Sequence, residues 1–212
     1  MDVAYFQLHE SWTSVWIYPC RGVVGIVSVT GMNHDEVVAL HEGDYLGLYR
    51  RGNWEFALRP QAAVCATILP LTDAGEVVLV EQFRVPMQQR VVEVPAGLVG
   101  DEPEFEGESV ADCAARELLE ETGFRAGKMI ELLASPTSAG MTPEVTHMFA
   151  ATGITKEHDG GGVDGEDIQV HVVPLENLDQ FLADKQAAGL AIDFKIHASM
   201  YQASALGLLN KS

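Results

Sequence analysis

The sequence predicts an α/β sandwich, a mixed sheet held between helices, with a small antiparallel β domain in front of it. Two observations predict this. Strand-like apolar runs flank a single acidic helix, and two helices with amphipathic spacing close the chain. At 212 residues and 47% hydrophobic content, the chain can also fill one substantial core and carry a smaller appendage.

Residues 1–58 read as the β-rich front domain. Residues 16–18 and 22–30 look like short strands, and 35–41 and 44–51 add two more, with Gly43 and Arg51-Gly52-Asn53 as turns. Segments this short bury poorly alone, so the sheet is expected to pack on the main domain or on a second subunit. Residues 54–59, Trp-Glu-Phe-Ala-Leu-Arg, alternate strongly and lead into the main domain, 59–212.

There, residues 62–71 form a continuous apolar strand, and Thr72-Asp73-Ala74-Gly75 turns it into 76–83, a hairpin pattern. Residues 91–95 are a short extended piece before a loop. After the acidic helix come strands at 129–134, 144–152 and 168–174, then helices over 175–188 and 193–210. No internal repeat is evident.

The acidic helix carries the chemistry. In Arg116-Glu117-Leu118-Leu119-Glu120-Glu121-Thr122-Gly123-Phe124, Glu117, Glu120 and Glu121 fall on one side at helical spacing. Like charges at i, i+3 and i+4 weaken a helix, so something must compensate for them. A lone acidic pair is usually a solvated face, but oxygen ligands in an open shell also suit Mg²⁺, with Mn²⁺ as a substitute. Arg116, at i−4 from Glu120, neutralises part of the charge, and Gly123 reads as the helix end.

With Glu108 eight positions before Arg116, this stretch resembles the box of the Nudix hydrolases: Gly, five residues, Glu, seven residues, Arg-Glu-apolar-any-Glu-Glu-any-Gly-apolar. Every fixed position from Glu108 onward matches. The front departs, with ten residues instead of five between Gly97 and Glu108, among them Asp101, Glu102, Glu104 and Glu106. Glu81-Gln82-Phe83-Arg84 and Glu93-Val94-Pro95-Ala96-Gly97 resemble the ADP-ribose and nucleotide-sugar pyrophosphatase branch of that family.

The resemblance implies a Nudix-type α/β/α sandwich and Mg-dependent hydrolysis of the diphosphate of ADP-ribose or a related nucleoside diphosphate sugar. A GDP-mannose or UDP-sugar pyrophosphatase would share the metal chemistry, and a non-catalytic nucleotide-sensing module is the reading from another class. It implies metal ligation by Glu117, Glu120, Glu121 and the Ala96 carbonyl. Arg84 is expected to fork onto the diphosphate. Glu93 either meets a base edge or ribose hydroxyl, or pairs with Arg90. Trp54 and Phe56 are candidates to stack on a base or sugar, across a dimer interface of the kind N-terminal sheets of this branch form. Arg59, at the end of the same run, joins them as a substrate contact.

Residues 135–144 are a turn-rich loop resembling a Ser-Pro-Gly…Glu loop of the branch; Glu144 is expected to support it or to touch substrate. The branch places its catalytic base in an acidic loop before an E-D-I-x-V strand, and here Glu166-Asp167-Ile168-Gln169-Val170 follows Gly160-Gly161-Gly162. Glu166 is therefore the first candidate base and Asp164 the next, with Glu120 the catalytic candidate on the helix. The three glycines are expected to make this segment mobile, a lid over substrate with His158 as a helper. His147 and His171 read as structural strand residues.

With 13 Lys+Arg against 31 Asp+Glu, the net charge of −18 disfavours nucleic acid and anionic membranes as partners, while a small anion held by metal stays compatible. Cys20, Cys65 and Cys113 are odd in number and widely spaced, which argues against disulfides and zinc. No signal peptide or stretch long enough to span a membrane is seen, so a cytoplasmic location is expected.

Overall fold

A computed structural model describes residues 36–59, 64–100, 103–162, 165 and 167–209. The strands expected at 16–18 and 22–30 lie outside them. Strands β1 (Val38–Glu42), β2 (Gly47–Arg51) and β3 (Trp54–Leu58) form an antiparallel sheet in that order. One tie to later chain is a backbone hydrogen bond from Ala57 N–H to the Met141 carbonyl at 2.8 Å.

The body begins with β4 (Val64–Pro70) and β5 (Glu76–Arg84). These two do not form the expected hairpin ladder: a single bridge, Leu71 to Val77, joins them before they enter different sheets. The reason is that both edges of β4 are already taken. β7 (Ala96–Leu98) pairs with it antiparallel and β10 (Val145–Thr152) parallel, and β9 (Lys128–Pro136) completes the order β7-β4-β10-β9. β5 instead lies between β12 (Gln169–Pro174) and β6 (Gln89–Glu93), with β13 (Ala191–Ile192) parallel to β6 at the edge.

β7 was expected as loop. Pro95 offers its carbonyl to Ile68 N–H at 2.9 Å, which starts the chain along β4. A two-stranded pair, β8 (Phe124–Arg125) with β11 (Thr155–Lys156), was also unforeseen. Two-residue strands leave no readable period.

Successive residues of a strand point to opposite faces, and β4 and β5 feed a core on each side. Ala66, Ile68 and Val78 meet Cys113, Ala114 and Leu118 of α1 (Val110–Thr122). Leu69, Val77 and Leu79 meet Leu178 and Leu182 of α2 (Leu178–Ala187) and Ile196 of α3 (Phe194–Ala205). Burial on both faces explains why these strands read as unbroken apolar runs. No helix among the described residues is long and apolar enough to cross a membrane.

Candidate active site

Helix α1 is fixed at both ends by local chemistry. The Ser109 hydroxyl caps its start by accepting from Asp112 N–H, and Gly123 ends it at φ 72°, a left-handed conformation that a side chain resists. Along it, Arg116 gathers three glutamates of the box. Arg116 Nη1 donates to Glu117 Oε1 at 2.8 Å and to Glu120 Oε2 at 3.0 Å, while Nη2 donates to Glu108 Oε1 at 2.9 Å.

One guanidinium is thus shared by three carboxylates. Helical spacing predicts the Glu120 contact but not that with Glu117, because neighbours in sequence do not face each other on a helix; the long arginine curls back to reach it. The insertion before Glu108 also closes on this centre. Its turn at Pro103–Phe105 places the Phe105 ring 4.0 Å from the guanidinium carbon, and Gly100 N–H donates to Glu108 Oε1 at 3.2 Å. Burial pushes the Glu108 carboxyl up, but Arg116 and the Gly100 N–H outweigh it and hold the group below its ordinary value.

The same face meets β7. Glu121, buried at 4% exposure, accepts from Ala96 N–H through Oε2 at 3.2 Å. A Cβ on Gly97 would stand 1.9 Å from Glu117 Oε1, so only glycine lets the backbone approach that carboxylate. Flexibility is the obvious reading of this glycine in sequence; close packing is what the fold requires of it.

Among the described residues, no three acidic, histidine or cysteine side chains already form a metal-holding group, and Arg116 lies between Glu117 and Glu120. The donor chemistry nevertheless fits Mg²⁺. It is all oxygen, carries more negative charge than Arg116 balances, and includes a stretch of β7 backbone that a Cβ on Gly97 would obstruct.

Arg84 and Glu93 stand beside this face. Arg84 Nε donates to both Glu93 oxygens, at 2.9 and 3.2 Å, and Nη2 bonds Oε2 as well. The hydrogen bonds that Arg84 donates to Glu93 raise its pKa against burial, and the charge of Glu121 adds to the shift. The alternative pairing of Glu93 with Arg90 does not occur. Three residues apart on a strand, the two point to opposite faces, and Arg90 binds Glu81 at 2.7 Å and Asp167 at 2.7 Å.

Glu81 is the centre of a second cluster, on the α2 side. Its buried carboxylate also takes Lys185 Nζ at 2.6 Å and His171 Nε2 at 3.0 Å. Burial works against its charge, yet the bonds from Lys185, Arg90 and His171 bring its pKa down to about 2. His171 thus has the structural place expected of it, and His147 faces Glu131 at 3.7 Å.

A further patch lies at the end of β3. Arg59 Nε donates to Glu144 Oε2 at 3.1 Å, and Trp54 Nε1 donates to the Gly140 carbonyl at 3.1 Å. Phe56 stacks on Tyr49 with ring centroids 6.1 Å apart, so its ring is engaged within the small sheet, whereas the Trp54 ring is exposed. This patch and α1 meet electrostatically at Cys65. Burial pushes that thiol up to about 12, with Glu144 and Glu117 adding and Lys195 and Arg59 opposing.

Glu166 and Asp164 lie outside the described residues. The glycine run before them lies against the end of α1. Gly161 N–H donates to the Glu121 carbonyl at 2.9 Å and Gly162 N–H to the Glu120 carbonyl at 3.2 Å. His158 serves the same segment, its Nδ1 accepting from Gly160 N–H at 3.1 Å.

A family model described as the NUDIX domain matches residues 61–193. ADP-ribose pyrophosphatase of Bacillus subtilis (strain 168) is 36% identical over 113 residues, 52% of this chain and 57% of that one. Methanol dehydrogenase activator of Bacillus methanolicus is 31% identical over 56% of this chain and 62% of its own length. GDP-mannose pyrophosphatase of Enterobacter sp. (strain 638) is 37% identical over 52% and 60%. The matches therefore span about three fifths of these relatives. A solved ADP compounds hydrolase shares the fold with a TM-score of 0.63 at 17% identity, over 81% of this chain and 91% of that one.

Proposed function

The chain belongs to the NUDIX family, and we propose that it hydrolyses the diphosphate linkage of ADP-ribose or a related nucleoside diphosphate sugar. What carries the reading is the meeting of the α1 carboxylates with the Ala96-Gly97 backbone of β7, one acid hydrogen-bonded to it and another packed against it. The names of two relatives, an ADP-ribose and a GDP-mannose pyrophosphatase, support the substrate class.

Glu117, Glu120, Glu121 and the Ala96 carbonyl would hold Mg²⁺, or Mn²⁺ in its place, which supplies neutralisation of diphosphate charge and acidification of water. Arg84, held in one orientation by Glu93, steadies the phosphates with the part of its guanidinium that Glu93 leaves open. Glu166, with Asp164 as the alternative, takes the proton of the attacking water. One phosphorus–oxygen bond forms to water as the bridging one breaks, giving from ADP-ribose AMP and ribose 5-phosphate. Trp54 and Arg59 contact the sugar or base end, and Glu144 orients Arg59. Two copies pair through residues 1–58, in keeping with the exposed Val38, Leu40 and Trp54 of the small sheet.

The test is turnover of ADP-ribose, GDP-mannose, UDP-glucose and diadenosine polyphosphates with Mg²⁺ and then with chelator, products resolved by chromatography. Chelator-sensitive cleavage of ADP-ribose to AMP is the expected result. Preferred cleavage of GDP-mannose would reassign the sugar and base, and nucleotide binding with no cleavage of any substrate would leave a sensing module.

A further inference from the structure

An α-helix leaves its last four carbonyls without partners inside the helix. At the end of α1 all four are filled, the first by the cap residue and the other three from residues 156–162. Leu119 O accepts from Gly123 N–H at 2.8 Å, Glu120 O from Gly162 N–H at 3.2 Å, Glu121 O from Gly161 N–H at 2.9 Å, and Thr122 O from Lys156 Nζ at 3.0 Å. Gly123 O then accepts from Glu157 N–H at 2.8 Å.

The approach is too close for side chains. A Cβ on Gly160 would stand 2.6 Å from the Glu121 carbonyl oxygen and 2.5 Å from the Thr122 carbonyl carbon, and one on Gly123 would stand 1.9 Å from the His158 carbonyl oxygen. Gly160 also has φ +73°. Two of the carbonyls so held belong to Glu120 and Glu121, whose side chains point into the proposed metal site.

We infer that residues 156–162 are a strap that positions the metal ligands, fixing the last turn of α1 so that Glu120 and Glu121 are aimed at the cation before it binds. Gly160, Gly161, Gly162 and Lys156 are positioning residues and touch neither substrate nor metal. This rests on the proposed metal site, and it assigns to the glycine run a reason other than mobility.

The test is Mn²⁺ binding followed by electron paramagnetic resonance, with the metal-free Tm measured in parallel, on the full chain and three variants. Gly160→Ala forces the strap off the helix end and should weaken Mn²⁺ binding by about 10-fold or more, the range for groups that orient ligands. Lys156→Met keeps an apolar chain of similar length but removes the ammonium that bonds Thr122 O and lies over the Phe124 ring. It should also weaken binding, although loss of a positive charge alone would strengthen it. Gly75→Ala, at φ +78° in open space, controls for backbone strain; it should lower Tm and leave Mn²⁺ affinity alone.

Unchanged affinity in both strap variants, or tighter binding in Lys156→Met, overturns the strap while leaving the hydrolase reading intact. A wild type that binds no Mn²⁺ overturns both.

Discussion

Two clusters of charge lie on opposite sides of the sheets, and they are built to opposite balances. Around Arg116 one cation serves Glu108, Glu117 and Glu120, with Glu121 close by at the Ala96 N–H. Around Glu81 one buried acid receives Arg90, Lys185 and His171, and Arg90 passes on to Asp167. The second cluster is neutralised by its own side chains and needs nothing more. The first keeps a surplus of negative charge that a bound cation would complete. An excess of carboxylates over cations, rather than the mere presence of carboxylates, separates a ligand site from a brace.

The largest effect expected of breaking the first cluster is on turnover. Glu121→Gln keeps the shape and the acceptor for Ala96 N–H but loses the charge, so kcat should fall about a thousandfold with Tm nearly unchanged. Steady-state kinetics beside thermal melts would separate the two. Glu81→Gln should do the reverse, leaving turnover near wild type while costing about 3 kcal/mol of stability, because Arg90 and Lys185 lose their shared acid. Urea unfolding measures that cost.

Gly97→Ala sharpens the comparison from the backbone side. Its Cβ would displace the Glu117 carboxylate, a movable side-chain end, so the fold should survive while Mg²⁺ affinity drops by about 10- to 100-fold. A titration of activity against Mg²⁺ would read it.

The smallest effect is on pH dependence, and it belongs to the balanced cluster. Glu81 has a depressed pKa, so as pH falls the unfolded chain takes up its proton first. Stability present above the ordinary value of 4.5 is lost on the way down to about 2. His171, whose pKa burial lowers, also protonates first in the unfolded chain, so a weaker loss begins as pH falls through 6.5. Urea midpoints of wild type should decline in both windows, and in Glu81→Gln the lower decline should be shallower, with the part due to Glu108 remaining.

Much of this was legible in the residues themselves. The box fixed α1 and its end at Gly123, because caps and helical spacing are local signals. The apolar runs at 62–71 and 76–83 marked strands, observed at Val64–Pro70 and Glu76–Arg84, but not their partners. That β4 and β5 part into different sheets depends on β7 and β10 competing for the edges of β4, which no local pattern records. The Arg84–Glu93 pair and the Arg90–Glu81–Lys185 brace were hidden for the same reason, since Lys185 lies 104 positions from Glu81. The glycine run was visible as glycine only. Its role at the helix end appears once Gly161 and Gly162 are seen against Glu121 and Glu120.

The most direct test of the central claim is the rise in Tm on adding Mg²⁺ to wild type, Glu121→Gln and Glu81→Gln, since a ligand that binds only the folded state raises its melting point. A rise in wild type, lost in Glu121→Gln and kept in Glu81→Gln from a lower starting Tm, is the predicted result. A rise that survives Glu121→Gln and vanishes in Glu81→Gln would place the cation at the other cluster and contradict the account.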